Sequence, residues 1–310
     1  MWLIALALPA LALAAQPAAT SSPANPLLQR VAEEASIFEQ NMPKALTRET
    51  LEQRSVMPPS RFHPRIGSAA TAPPKPRLRV REIVSEYSVG ALKDSASQDL
   101  VEFRQVISVD GHPVQSQETA RRALSLGIQS ADDRIRKRML ENFAQYGLVD
   151  IATDYGLILL AFTPRGLANM DIRPAGEGRI GADTTLVLAW KQNSAAGGEL
   201  EFHGRQSAHR ALQGTLWLRR PDGLPLRISA WAEHVDPARH TIRDEATVDY
   251  VESPHGFLTP VSVVHHHLVD GHLITENLYR YEPFKLFSSD AEIKFTEIPE
   301  PPPTPPVKKK

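Results

Sequence analysis

The 310-residue sequence predicts an α+β fold, a curved antiparallel β-sheet with a covering helix and an N-terminal helical segment. Three observations carry that expectation. From about residue 148 to 282 the chain is a succession of short runs alternating apolar and polar residues, the period of a half-buried strand. Asp110-Gly111, Asp222-Gly223 and Asp270-Gly271 punctuate the runs, and Asp-Gly is a tight-turn pair. Strands joined by such short turns must be antiparallel, because parallel neighbours need a crossover of about a dozen residues or more.

The first residues predict an export signal. Residues 2–13 are almost wholly apolar, and the small residues Ala12, Ala14 and Ala15 follow the pattern of a cleavage site before Ala15 or Gln16. The run is shorter than the roughly 20 residues that span a bilayer. No Lys or Arg precedes it, so only the amino terminus supplies positive charge. No later segment is apolar enough to cross a membrane, so no transmembrane span is expected in the mature chain. The expected location is periplasmic or extracellular.

The mature chain should begin with a leader and helical segment over residues 16–56. Leu27, Leu28, Val31, Ala35, Phe38 and Met42 recur at three- and four-residue spacing and make one apolar stripe. Pro43 should interrupt that helix, with a second short helix over 46–53. Residues 57–78 read as a Pro-rich extended linker. The sheet domain is expected over 79–298, and a Pro/Lys tail over 299–310.

Within the domain, residues 79–88 and 100–109 read as strands, with a hairpin over 106–114. A helical interlude follows, broken at Gly127. A cleaner helix is predicted over 131–146. Ser130 caps it, Asp133 follows three residues on, Ile135, Met139, Leu140 and Phe143 share one face, and Gly147 ends it. Strands are then expected at about 148–163, 183–192, 199–204, 213–220, 225–234, 241–252, 257–269 and 272–282.

Composition removes several functions. The chain has no cysteine, which excludes disulfides, thiolate metal sites, a cysteine nucleophile and a lipid-modified cysteine. With 35 basic against 36 acidic residues, nothing global attracts nucleic acid, and sparse aromatics offer no stacking platform. There is no Gly-x-Ser-x-Gly elbow, phosphate-binding glycine loop or His-Glu-x-x-His helix. No catalytic residue and no cofactor are therefore expected.

His265, His266 and His267 are the most conspicuous group, with His255 and His272 nearby. In a two-residue hairpin at Asp270-Gly271, Val269 pairs with His272 and His265 faces Glu276. Alternation then puts His265 and His267 on one face and His266 on the other. Two ligands and a doubtful third fall short of a closed zinc site, which needs four, so no metal is expected. Asp150 and Asp154 would share a strand face as solvated carboxylates. Arg134, Arg136, Lys137 and Arg138 would form the solvated back of the helix over 131–146.

Two stretches carry a resemblance: GTLWLRRPDGLPLRISAW at residues 214–231, and the extend–turn–extend pair from Val248, Asp249 and Tyr250 to Tyr281, Glu282, Pro283 and Phe284. Their strand spacing over roughly 80–290 resembles the LolA/LolB-like lipoprotein-carrier superfamily and uncharacterised secreted bacterial relatives. That resemblance implies an incomplete antiparallel barrel closed by helices and holding acyl chains or other apolar ligands. It implies no particular site residues. This chain is longer than the carriers, with a helical leader and a Pro-rich tail. The expected function is an extracytoplasmic, non-enzymatic carrier or binding module for a lipid-like ligand or lipoprotein, with Ile135, Met139, Leu140 and Phe143 as pocket-lining candidates. The alternative is an envelope structural or interaction protein whose sheet core is filled, with an envelope protein as partner. An unfilled apolar cavity separates the two.

Overall fold

The Asp-Gly turns set the register of the sheet. Asp110 and Gly111 have φ of 50° and 75°, and Asp270 and Gly271 have 48° and 78°. Positive φ at both central positions matches the right-handed twist of the flanking strands. Val109 accordingly pairs with His112, and Val269 with His272. The computed structural model describes residues 26–58, 76–91, 100–130, 133–151, 153–193 and 210–287. The expected signal segment, the Pro/Lys tail and the expected strand over 199–204 lie outside these residues.

The strands are β1 Ala45–Met57, β2 Arg77–Ala91, β3 Leu100–Val109, β4 His112–Pro113, β5 Met170–Ile180, β6 Asp183–Gln192, β7 Gln213–Arg219, β8 Pro225–Val235, β9 Thr241–Glu252, β10 Leu258–Val269, β11 His272–Tyr281 and β12 Lys285–Leu286. They form one antiparallel sheet in the order β4-β3-β2-β1-β11-β10-β9-β8-β7-β6-β5, with β12 also paired to β1. The sheet is not closed into a barrel, as expected for an incomplete one.

The helices are α1 Pro26–Asn41, α2 Gln117–Ser130, α3 Asp133–Gln145 and the single turn α4 Pro164–Leu167. A 3-10 segment, Tyr155–Phe162, precedes α4. The apolar stripe of α1 does what its spacing predicts: Val31, Ala35 and Phe38 are fully buried, as is Met42 just beyond the helix. Pro43 stops α1, and a 3-10 turn, Met42–Lys44, leads into β1. Here the structure corrects the expected second helix over 46–53. That stretch is the middle of β1, seated between β2 and β11.

Two further corrections concern strands and a third concerns a helix. Residues 155–162 are not strand but 3-10 helix, since a continuous apolar run has no period to tell one from the other. Met170–Ile180 is a strand that Pro174, Gly176 and Gly178 disguised. It is an edge strand, and a bulge between Pro174 and Gly176 absorbs the proline. Gly127 does not break α2, which runs through it to Ser130.

One face of the sheet, called the inner face, carries α1 and Tyr155–Phe162 and holds the main core. β9 alternates strictly, burying Ile242, Asp244, Ala246, Val248 and Tyr250 on that face. A smaller core of Val101, Phe103 and Leu124, with Ile128 packed on it, joins α2 to the outer face of β3. In α3, Met139 and Phe143 are buried. The side chains of Ile135 and Leu140 lie outside the described residues.

Candidate functional site

Any ligand of the inner face would lie where Tyr155–Phe162 lies. Its sequence, YGLILLAF, is wholly apolar apart from the tyrosine hydroxyl, and Leu157, Ile158, Leu159 and Phe162 are buried. Phe162 meets Trp190 edge-on at 5.2 Å, and Phe38 of α1 meets Tyr250 edge-on at 6.1 Å. Tyr155–Phe162 therefore plugs the face that the alternating strands create, and is called the plug below. Eight residues is long for a 3-10 helix, which rarely persists beyond three or four. Asp154 before it makes no capping hydrogen bond with its own side chain and is left-handed, at φ 68°.

The plug is instead held at its start by two buried polar groups on the sheet. The first is Glu102. Its Oε1 accepts from the Tyr87 hydroxyl at 2.9 Å and the Gly156 N–H at 3.0 Å, and its Oε2 from the Asp154 N–H at 2.7 Å. Asp154 Oδ1 returns the contact by accepting the Glu102 N–H at 2.8 Å. Arg104 bridges Glu102 to Glu49. It donates to both oxygens of Glu49 at 2.7 and 2.8 Å, and lies 2.7 Å from Glu102 Oε2. The guanidinium also lies 5.0 Å from the Tyr87 ring and 5.4 Å from the Tyr279 ring. Deeper in, the Tyr250 hydroxyl donates to the Gly156 carbonyl and accepts from the Leu159 N–H, each at 3.2 Å.

Gly156 sits against this carboxylate so closely that a Cβ there would stand 2.7 Å from Glu102 Oε1. Gly156→Ala is expected to lower stability by about 1–3 kcal/mol through overpacking, read as a shift in the urea midpoint at unchanged m-value. An unchanged midpoint would mean that the plug's first turn is not docked.

The second group lies under Val149, Asp150 and Tyr155. Gln53 brackets Val149, donating to its carbonyl at 2.7 Å and accepting its N–H at 3.0 Å. Asn277 donates to the Asp150 carbonyl at 3.0 Å, and Thr275 donates to the Asp150 carboxylate at 2.9 Å. Tyr155 stacks on His265 at 5.0 Å. His267 Nδ1 is 2.7 Å from Asp244 Oδ1, and His265 Nε2 is 3.4 Å from the same oxygen. The Asn277 amide lies 3.0 Å from His265 Nδ1, which leaves the ring proton on Nε2, toward Asp244.

Burial pushes Asp244 up, but its hydrogen bonds and charge contacts to His265 and His267 outweigh this and hold it well below the carboxylate range. Burial pulls His267 down, and Asp244 more than reverses it, so His267 is raised. In His265 burial wins over Asp244 and the ring is lowered. The signs then separate. His265 withholds a proton that the unfolded chain takes up, so it costs stability as pH falls below about 6.5, while His267 loses its contribution as pH rises past that value. Asp244 contributes above its unfolded value and loses that contribution as pH falls below about 3.9. A denaturation midpoint measured against pH should show a broad maximum with an acid limb, and Asp244→Asn should flatten that limb. An identical acid limb in the variant would remove Asp244 from the account.

The structure bears out the facing of the histidines but not their partner. A bulge between His267 and Leu268 shifts the register by one, so Glu276 pairs with His266 and His265 pairs with Asn277. His266 lies between Glu245 and Glu276, 3.3 Å from each. Asp150 and Asp154 are also corrected. Neither is on a strand, both have positive φ, and Asp154 is buried. Arg138 is exposed, and the side chains of Arg134, Arg136 and Lys137 lie outside the described residues. Met139 and Phe143 pack into the main core.

No family model matches the chain, and no curated protein matches it. Solved structures align over most of this chain at low similarity. A DUF1329 family protein from Desulfovibrio piger is 10% identical, with a TM-score of 0.35 over 87% of this chain and 98% of that one. A LolA superfamily protein from Nitrosomonas europaea is 10% identical, with a TM-score of 0.28 over 84% and 94%. An outer membrane lipoprotein-sorting protein domain from Vibrio parahaemolyticus is 8% identical, with a TM-score of 0.32 over 84% and 92%.

Proposed function

We propose that this chain is a non-enzymatic, extracytoplasmic interaction module whose inner face is filled by its own residues. The supporting observation is that Phe38, Met42, Leu159 and Phe162 are fully buried on that face, where an acyl chain would have to lie. Each fully buried side chain of this size contributes on the order of 1.5–3 kcal/mol, so an incoming ligand must replace that burial before gaining anything. The extracytoplasmic placement rests on the apolar run at residues 2–13. A chain purified from its own host with Met1 retained would contradict it.

A carrier for a lipid-like ligand is the second reading, and one observation favours it. The plug is an unusually long 3-10 segment whose N-cap residue, Asp154, does not cap it, and it is the element that could withdraw. A fluorescent fatty-acid probe distinguishes the two. Intact folded protein should show no saturable binding. Saturable binding displaced by phospholipid would establish the carrier and overturn the filled-core reading.

A further inference from the structure

The outer face carries a depression, separate from the plug, of about 350 Å³ between β5 and β8. That volume falls within the range of small-molecule sites. The register explains its shape. Asp171, Lys191, Gln213 and Trp231 form one row across four adjacent strands, and Arg173, Ala189 and Thr215 form the next. Large side chains stand at the rim, and the short Ala189 and Thr215 leave the floor low. Gly214 admits no side chain, because a Cβ there would meet the Ser229 carbonyl oxygen at 1.9 Å.

The chemistry at the rim is specific. Arg243 lies over the Trp231 ring at 4.2 Å, which fixes the indole, and the tryptophan also lines the depression. Nearby arginines of the outer face are neutralised, Arg227 by Asp249 and Arg243 by Glu245. Arg173 and Lys191 close no ion pair among the described residues, although Asp171 stands opposite Lys191 in the register. Two exposed cations, an aromatic wall, a carboxylate acceptor and the polar Gln213 and Thr215 are thus gathered on rigid strands. An acyl chain would gain little on such a floor. A ring with an apolar face, several hydroxyls and a carboxylate would use every part: its face against Trp231, its carboxylate between Arg173 and Lys191, and its hydroxyls on Asp171, Gln213 and Thr215.

We propose that this depression binds the uronic-acid units of an acidic polysaccharide. The test is calorimetric titration of the full chain with trigalacturonate, monomeric galacturonate, neutral maltotriose and acetate. Trigalacturonate should bind saturably and weaken with salt, and maltotriose should bind at least roughly tenfold less tightly. Galacturonate binding as tightly as the trimer would assign the site to a free sugar acid and overturn the polysaccharide. Acetate competing at equal concentration would reduce it to a simple anion site. Arg173→Gln and Lys191→Gln should each weaken trigalacturonate about tenfold, and Trp231→Phe should weaken it less than Trp231→Ala. The two charge variants lie at exposed positions, so circular dichroism and melting should stay unchanged. Binding that is absent, or indifferent to both charge variants, would overturn the proposal.

Discussion

Arg104→Met is expected to cost about 3–5 kcal/mol of folding free energy, the penalty for removing one partner from a buried ionic group. Arg104, Glu49 and Glu102 have side chains only 1–2% exposed. Met fills much of the volume, so lost packing is the smaller part of the effect. The larger part is electrostatic, because two carboxylates remain out of water with no cation between them. Burial already pushes Glu49 up, and Arg104 is the chief group that opposes it. Without Arg104, Glu49 should take up a proton on folding. A group whose folded pKa is raised contributes below its unfolded pKa and loses that contribution as pH rises. The variant should therefore be least impaired near pH 4–5 and most impaired at neutral pH, the reverse of an ordinary acid limb. Urea midpoints at the two pH values check this. A deficit independent of pH would place the loss in packing and not in charge.

Phe162→Ala is expected to cost about 3–5 kcal/mol as well, for truncating a fully buried aromatic side chain. The informative comparison is Phe143→Ala in α3, which removes the same atoms from another buried site, 1% exposed. The two should destabilise alike, but they should differ in what they open. Losing Phe162 removes the plug's grip on Trp190 and leaves an apolar hollow on the inner face. A hollow lined by apolar side chains stays dry and accepts apolar guests. Phe162→Ala should thus gain saturable binding of the fatty-acid probe, and Phe143→Ala should not. Equal binding by both variants would mean that general loosening, and not the plug, admits the probe.

The sheet was legible because its strands alternate and its turns are Asp-Gly. The site was not, and the reasons are particular. In β1 the inward positions are Ala45, Thr47, Glu49, Leu51, Gln53 and Ser55, four of them polar. A strand that buries polar groups shows no apolar alternation, and its charge-rich sequence resembles a solvated helix. Glu49 and Gln53, the β1 members of the two polar groups, were hidden by that disguise. Arg104 and Glu102 sit on a strand that was identified, but nothing local marks a charge as paired with one 55 residues away. The histidines show the finer limit. Their alternation was correct, yet one bulge moved Glu276 from His265 to His266, and the acid they do share, Asp244, belongs to another strand.

The placement of β1 also sets the order in which this protein can be assembled. The seam between β1 and β11 joins residues such as Gln53 and Asn277, 224 positions apart. A chain emerging from its amino terminus makes β1 almost first and must wait for β11 before that side of the strand is paired. Such long-range closure carries a loop-entropy cost and folds slowly. Until then, the row of Glu49, Gln53 and Ser55 remains wetted and unburied. The polar inner row of β1 can therefore wait in water for its partner strand at little cost, which a row of apolar side chains in the same place could not.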